Sequence, residues 1–163
     1  MKKIIVLLSL LMSVVAFVSF NDKSKTAIMA TEKTYEDSLE ADRMKYVKLV
    51  MESIKGKQKM RADSVFKNIK MLKVPAGQLL AIMNYGYSRS LGVSCGHCHN
   101  TSDFASEEKM QKEIAREMSA MTNRINTELL KNIKGLKSET PIVNCTTCHR
   151  GNVKPALDLP EKN

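Results

Sequence analysis

The sequence predicts a mainly α-helical chain built from two tandem units, each a helix, a turn and a Cys-x-x-Cys-His segment. Three observations carry this. All four cysteines fall in two pairs, Cys95/Cys98 and Cys145/Cys148, and His99 and His149 follow them directly. Apolar residues recur at steps of three and four ahead of each pair. No segment shows a sustained alternation of strand residues. At 163 residues the chain has room for one domain or two very small ones, so a large multidomain enzyme is excluded. With no Trp and an aromatic share of 5%, large flat side chains for a core are scarce.

The elements follow in chain order. Lys2 and Lys3 precede an apolar run from Ile4 to Phe20, broken by Ser9, Ser13 and Ser19. A short cationic segment before an apolar one is a secretory signal, and Val14-Val15-Ala16 offers small residues for cleavage. The run also reaches the lower end of spanning length, so residues 1–20 read as a cleaved signal or a retained membrane anchor. Either way the rest of the chain is expected outside the cytoplasm, in the periplasm. Residues 21–33 are polar and read as a linker. A helix is expected over about 34–55, N-capped by Thr34, with Leu39, Tyr46/Val47, Val50/Met51 and Ile54 on its apolar side and Gly56 at its end. It carries no nameable chemistry.

The domain proper is placed at 34–163, with a first unit over about 64–100 and a second over about 101–153. In the first, Pro75 suits a helix start, the helix runs to about Ser90, and Gly92 closes it just before Ser94-Cys95. In the second, Ser106 is the expected N-cap. Met110, Ile114, Met118, Met121, Ile125 and Leu129 then mark a long amphipathic helix, followed by Gly135, a loop with Pro141, and Cys145.

Thiol pairs in an oxidising compartment form disulfides unless something occupies them. Zinc and a redox Cys-x-x-Cys are the competing occupants. The forty-six positions between Cys98 and Cys145 are far more than the ~15 to 20 usual between zinc-ligating pairs. The histidine after each pair also has no role in such a site. Cys-x-x-Cys-His instead signals covalent haem: the thiols add to the two vinyl groups and the next residue lies beneath the iron. Cys95, Cys98, Cys145 and Cys148 are therefore the expected attachments of two c-type haems, and His99 and His149 their proximal ligands. Two covalent haems around which the helices pack would also supply the missing flat groups.

The sixth ligand separates an electron carrier from a reactive iron. His97, the remaining histidine, lies inside the first motif and reads as a spacer. Methionine, present eleven times, is the remaining donor, and thioether ligation raises the potential relative to a second imidazole. Met83 precedes the first motif on its helix; Met118 and Met121 hold the corresponding place before the second. A Met stripe at helical spacing also reads as core filler.

At these residues the sequence acquires a resemblance. The stretches LLAIMNYGYSRSLGVSCGHCHN, ASEEKMQKEIAREMSAMTNRINTELL and VNCTTCHRG resemble the cytochrome c subunit of photosynthetic reaction centres, specifically one two-haem half of that four-haem protein, over about residues 64–153. The resemblance implies axial methionines from the helix before each motif. In the first helix this is Met83; in AREMSAM it falls on Met118, leaving Met121 to packing. The family half also has a histidine, after the segment matching Arg124-Ile125-Asn126, that ligates a haem of the other half. This chain has none there, which fits a stand-alone two-haem protein.

The expected function is an exported dihaem carrier of single electrons, not an enzyme. The rival readings are a haem enzyme with one open iron, peroxidase-like or small-molecule-reducing, and a haem-binding sensor or subunit of a larger redox complex. No further histidine or acid–base cluster remains to assist chemistry at a distal face. The formal charge of +9 reads first as a solvated surface and second as docking onto acidic redox proteins. Nucleic acid is not an expected partner of an exported chain without stacking aromatics among its basic residues.

Overall fold

The computed structural model describes residues 28–31 and 33–158. The expected signal or anchor over 1–20 and most of the 21–33 linker lie outside the described residues. The chain divides into one unit over Met1–Ser38 and another over Leu39–Asn163. In the first, residues 28–31 and 33–38 are helical, so the described part of the expected linker is not extended. Thr34 is accordingly no N-cap. Its hydroxyl donates to the Thr31 carbonyl at 2.8 Å, within helical backbone. Ala30, Met29 and Lys33 favour helix, which explains the earlier start.

Helix α1 covers residues 33–53. In the second unit its Val50 and Met51 pack with Val65 and Phe66 around Ile54, Ala76 and Leu80. Its end turns at Gly56, φ +80°. A short α2, Ala62–Val65, follows. Residues 58–62 then zip against 74–77: Ala62 N–H donates to the Val74 carbonyl at 2.8 Å, Ala76 N–H to Met60 at 2.8 Å and Gly77 N–H to Gln58 at 2.9 Å. This clamp sets the start of α3, Ala76–Ala81, immediately after Pro75.

The helix before the first motif is not a regular α-helix throughout. It widens into π-turns over Ile82–Ser88, tightens again as α4, Arg89–Leu91, and stops at Gly92, which takes the left-handed φ of +64°. Widened turns of this kind concentrate at functional sites, and Met83 lies in this one. The helix before the second motif, α5, spans Met110–Arg124 and continues as a π-turn, Ile125–Leu129, and a 3₁₀ turn, Leu130–Asn132. Its start differs from the expected cap at Ser106: Lys109 holds the N-cap position. Glu107 is drawn out of helical backbone by Arg116, which donates to both its carboxylate oxygens at 2.6 Å.

Helix α6, Cys145–His149, is the second motif itself. Asn144 and Thr147 form a capping box, with the Asn144 Oδ1 accepting from Thr147 N–H at 3.0 Å and Thr147 Oγ1 accepting from Asn144 N–H at 3.1 Å. The two motif-bearing parts interlock. Gly151 N–H donates to the Ser90 carbonyl at 2.9 Å, and Thr146 donates its hydroxyl to Ser90 Oγ at 2.6 Å while Ser90 donates to Tyr85 O. Tyr87 donates its hydroxyl to Ser119 Oγ at 2.5 Å, joining the widened helix to α5.

Among the described residues the buried apolar side chains are Ile54, Ala62, Ala76, Leu79 and Leu80. That is a very small core, and all of it lies between residues 54 and 80, ahead of the first motif. No strand occurs among the described residues, and the fold is mainly α as expected.

Candidate functional site

The first motif begins as a 3₁₀ turn, Cys95–His97, entered through extended Ser94. His99 N–H reaches back to the Cys95 carbonyl at 3.1 Å, so the turn places both thiols and the imidazole on one short loop. They face a cavity of about 460 Å³, within the range of cofactor pockets. Met83, Leu79, Leu80, Val50 and Phe66 line it with Cys95, Cys98 and His99. The structure therefore brings Met83 to the first Cys-x-x-Cys-His segment.

The imidazole is pre-set. His99 Nδ1 lies 3.1 Å from the Phe104 carbonyl oxygen, which can only accept, so Nδ1 carries the proton and Nε2 keeps its lone pair for a metal. The Phe104 ring packs on His99 at 5.3 Å and meets Tyr46 of α1 edge-on at 5.8 Å. Burial holds the His99 pKa below the ordinary imidazole value; Lys112 and Arg116 push the same way, and the Phe104 carbonyl opposes them. The neutral ring is the form that ligates. Burial raises the thiols of Cys95, Cys98 and Cys145 above the usual cysteine range. A redox Cys-x-x-Cys needs the opposite shift.

Arg43 of α1 supports this loop from behind. It is 1% exposed, pairs through Nη2 with Glu40 at 2.7 Å and lies with Nη1 3.4 Å from the Val93 carbonyl, two residues before Cys95. A buried guanidinium without its carboxylate would be costly, so Glu40 and Arg43 act together. This gives α1 a role that its sequence alone did not disclose.

The second site is more open. Cys145 and His149 are half-buried, while Cys148 is exposed. The histidine geometry nevertheless repeats: His149 Nδ1 lies 3.0 Å from the Asn152 carbonyl, again leaving Nε2 free to ligate. Asn126 of the π-turn ties the segment before the motif to the end of α5, donating to Val143 O and accepting from Val143 N–H, both at 2.8 Å. Met118 and Met121 lie on α5 with Met110 and Ile114, Leu129 follows in the π-turn, and these five side chains are 36–74% exposed. The stripe is thus not protein core.

Both places fit covalent haem. The first combines thiols, an imidazole of fixed tautomer and a thioether around an apolar cavity. The second combines thiols, an imidazole of the same fixed tautomer, and an apolar Met-bearing stripe with no fully buried residue. Among the described residues, no three His, Cys, Asp or Glu side chains converge on a common metal position, so the Cys pairs do not form one zinc site. Nor is any described helix long and apolar enough to cross a membrane.

A helical fold organised around Cys-x-x-Cys-His segments, each with its histidine held through Nδ1, defines a c-type cytochrome. The chain belongs to the photosynthetic reaction centre cytochrome c subunit family, which it matches over residues 22–158. It is 34% identical to cytochrome c-554 of Chloroflexus aurantiacus over 79 residues, covering 48% of this chain and 19% of that protein. It is 33% identical to the photosynthetic reaction center cytochrome c subunit of Rubrivivax gelatinosus over 100 residues, covering 58% of this chain and 25% of that protein. The chain therefore spans a quarter or less of these relatives. Family membership implies covalently bound haem c.

Sequence reading missed Phe104, Asn152, Lys112 and Arg43. Two act through backbone carbonyls, which carry no residue signature, and two are basic residues indistinguishable in sequence from a solvated surface.

Proposed function

We propose that this chain is an exported, periplasmic dihaem electron carrier in which Cys95/Cys98 and Cys145/Cys148 each attach one haem. His99 and His149 are the proximal ligands, Met83 the sixth ligand at the first iron and Met118 at the second, with Met121 beside it on the same stripe. The N-terminal segment, over 1–20, serves export and, if retained, holds the protein at the membrane. The observation that carries this reading is the convergence of Met83, Cys95, Cys98 and His99 on one apolar cavity, with His99 already held in the ligating tautomer. Bound haem supplies the one-electron iron couple. The protein residues hold the ligands and line the first site mainly with apolar side chains, which suits a carrier of single electrons. Intact mass of the mature chain is expected to show two covalent haems; one or none would refute the dihaem assignment. Met83→Ala is expected to open one iron to carbon monoxide, and an unchanged spectrum would reassign that ligand.

Partners are acidic redox proteins. Between Arg43 and Lys73 the chain carries ten Lys and Arg against Glu52 and Asp63, nearly the whole of its formal charge of +9. Lys48, Lys57, Lys59, Lys67 and Lys73 of this segment are exposed, and Lys67 borders the first cavity. Such a field steers association and is screened by salt. Electron exchange with an acidic redox protein is expected to slow about tenfold between low and ~0.5 M salt. A rate independent of ionic strength, read by stopped-flow, would remove this docking surface.

A further inference from the structure

We propose that Lys112 is a positioning residue for the first iron: by sharing the Phe104 carbonyl with His99, it weakens His99 as a donor and holds the first centre at a higher reduction potential than the second. This rests on the dihaem reading above.

A carbonyl oxygen has two lone pairs. That of Phe104 accepts from His99 Nδ1 at 3.1 Å and from Lys112 Nζ at 3.0 Å. Lys112 is held firmly. It also donates to Ser106 O at 2.8 Å and lies 3.4 Å from Glu107 Oε1, and its side chain is 11% exposed. Glu107 is itself bound through both oxygens by Arg116, so it does not cancel the ammonium charge alone.

An acceptor on the outer nitrogen of a ligating histidine raises the ring's basicity toward the metal. A cation on the same acceptor withdraws that electron density. The less basic ring stabilises Fe(III) less, so the potential rises. Burial strengthens each of these interactions, and burial itself disfavours the more highly charged oxidised centre. The second site differs in both respects. The His149–Asn152 hydrogen bond is exposed where the His99–Phe104 bond is part-buried, and among the described residues no ammonium or guanidinium donates to its acceptor, the Asn152 carbonyl. The two sites share one histidine geometry and differ in what stands behind it.

The test is a spectroscopically monitored redox titration of the full holoprotein as wild type, Lys112→Met, Lys112→Arg and Lys109→Met. Lys109 is the matched control, a nearby cation whose ammonium donates to the Gly96 carbonyl and not to Phe104. In Lys112→Met one of the two centres is expected to fall in potential, with about a tenfold change in its ferrous-to-ferric ratio, or about 59 mV for one electron. The other centre should stay in place. Lys112→Arg keeps a cationic donor and should recover most of the wild-type value. No shift in Lys112→Met, or an equal shift in Lys109→Met, would overturn the proposal, because the effect would then be absent or a general charge effect. Haem count by mass is read separately: a chain loaded only at Cys95/Cys98 would refute the dihaem reading while still reporting the Lys112 effect at the first centre.

Discussion

Replacing Cys95 and Cys98 together by alanine is expected to remove one covalent haem and, with it, the native packing around the first motif. The fold around that site has few resources of its own. Its buried apolar side chains are Ile54, Ala62, Ala76, Leu79 and Leu80, and they border or adjoin a cavity of about 460 Å³. Without the cofactor, the apolar lining of that open cavity would lose its packing partner, a penalty to be set against the ~5–15 kcal/mol that holds a typical domain folded. Water entry or collapse would reduce the penalty but would also destroy the site. Circular dichroism should show lost helix and an earlier, broader melt, and intact mass should show one haem fewer. The paired change Cys145→Ala/Cys148→Ala should remove a haem with a smaller loss of helix, because the second motif lies among exposed residues. Wild-type-like melting of the Cys95/Cys98 variant would show that the first cavity is not built around the cofactor.

Gly92→Ala is the second large effect expected. Gly92 takes φ +64°, and a Cβ there would lie 1.9 Å from the Gly151 carbonyl oxygen and 2.9 Å from its carbon. The obstacle is backbone, so no rotamer change relieves it. Left-handed geometry alone costs a non-glycine residue about 1–2 kcal/mol. Here the chain must also part at the Ser90–Gly151 contact, where Gly151 N–H donates to Ser90 O at 2.9 Å and the Thr146 and Ser90 hydroxyls meet. A destabilisation above ~3 kcal/mol is expected. Gly135→Ala is the internal comparison: φ is +81° and nothing lies within 4 Å of the added carbon, so only the backbone term of about 1–2 kcal/mol applies. Denaturant titration of the two variants decides the matter. Equal losses would mean that the Gly92–Gly151 approach does not lock the two motifs together.

Local features read best from the sequence. The helix before each Cys-x-x-Cys-His segment and the glycine stop at Gly92 depend on spacings within about twenty residues, and the first helix and its stop appear where expected. Boundaries read less well where a distant partner competes. Ser106 has the composition of an N-cap, yet α5 starts at Met110 because Glu107 is bound by Arg116, which donates to both its oxygens at 2.6 Å. Ile82–Ser88 reads as ordinary helix by propensity, and only the backbone reveals the wide turns that carry Met83. The periodicity of Met110, Ile114, Met118, Met121 and Leu129 announces an apolar face without saying whether protein covers it. The structure leaves that face partly exposed, with Met118 at 36% and Met110 at 74%.

The sequence by itself determined the class of this protein, because covalent attachment needs two thiols and an imidazole within five consecutive residues. Tertiary structure decided how the two sites differ. Phe104 accepts from both His99 and Lys112, whereas Asn152 accepts from His149 at an exposed position. Arg43 reaches the Val93 carbonyl from α1 across fifty positions of sequence. Acceptors of this kind are backbone oxygens, identical at every residue. Only the folded path of the chain determines which of them a histidine or a cation will meet.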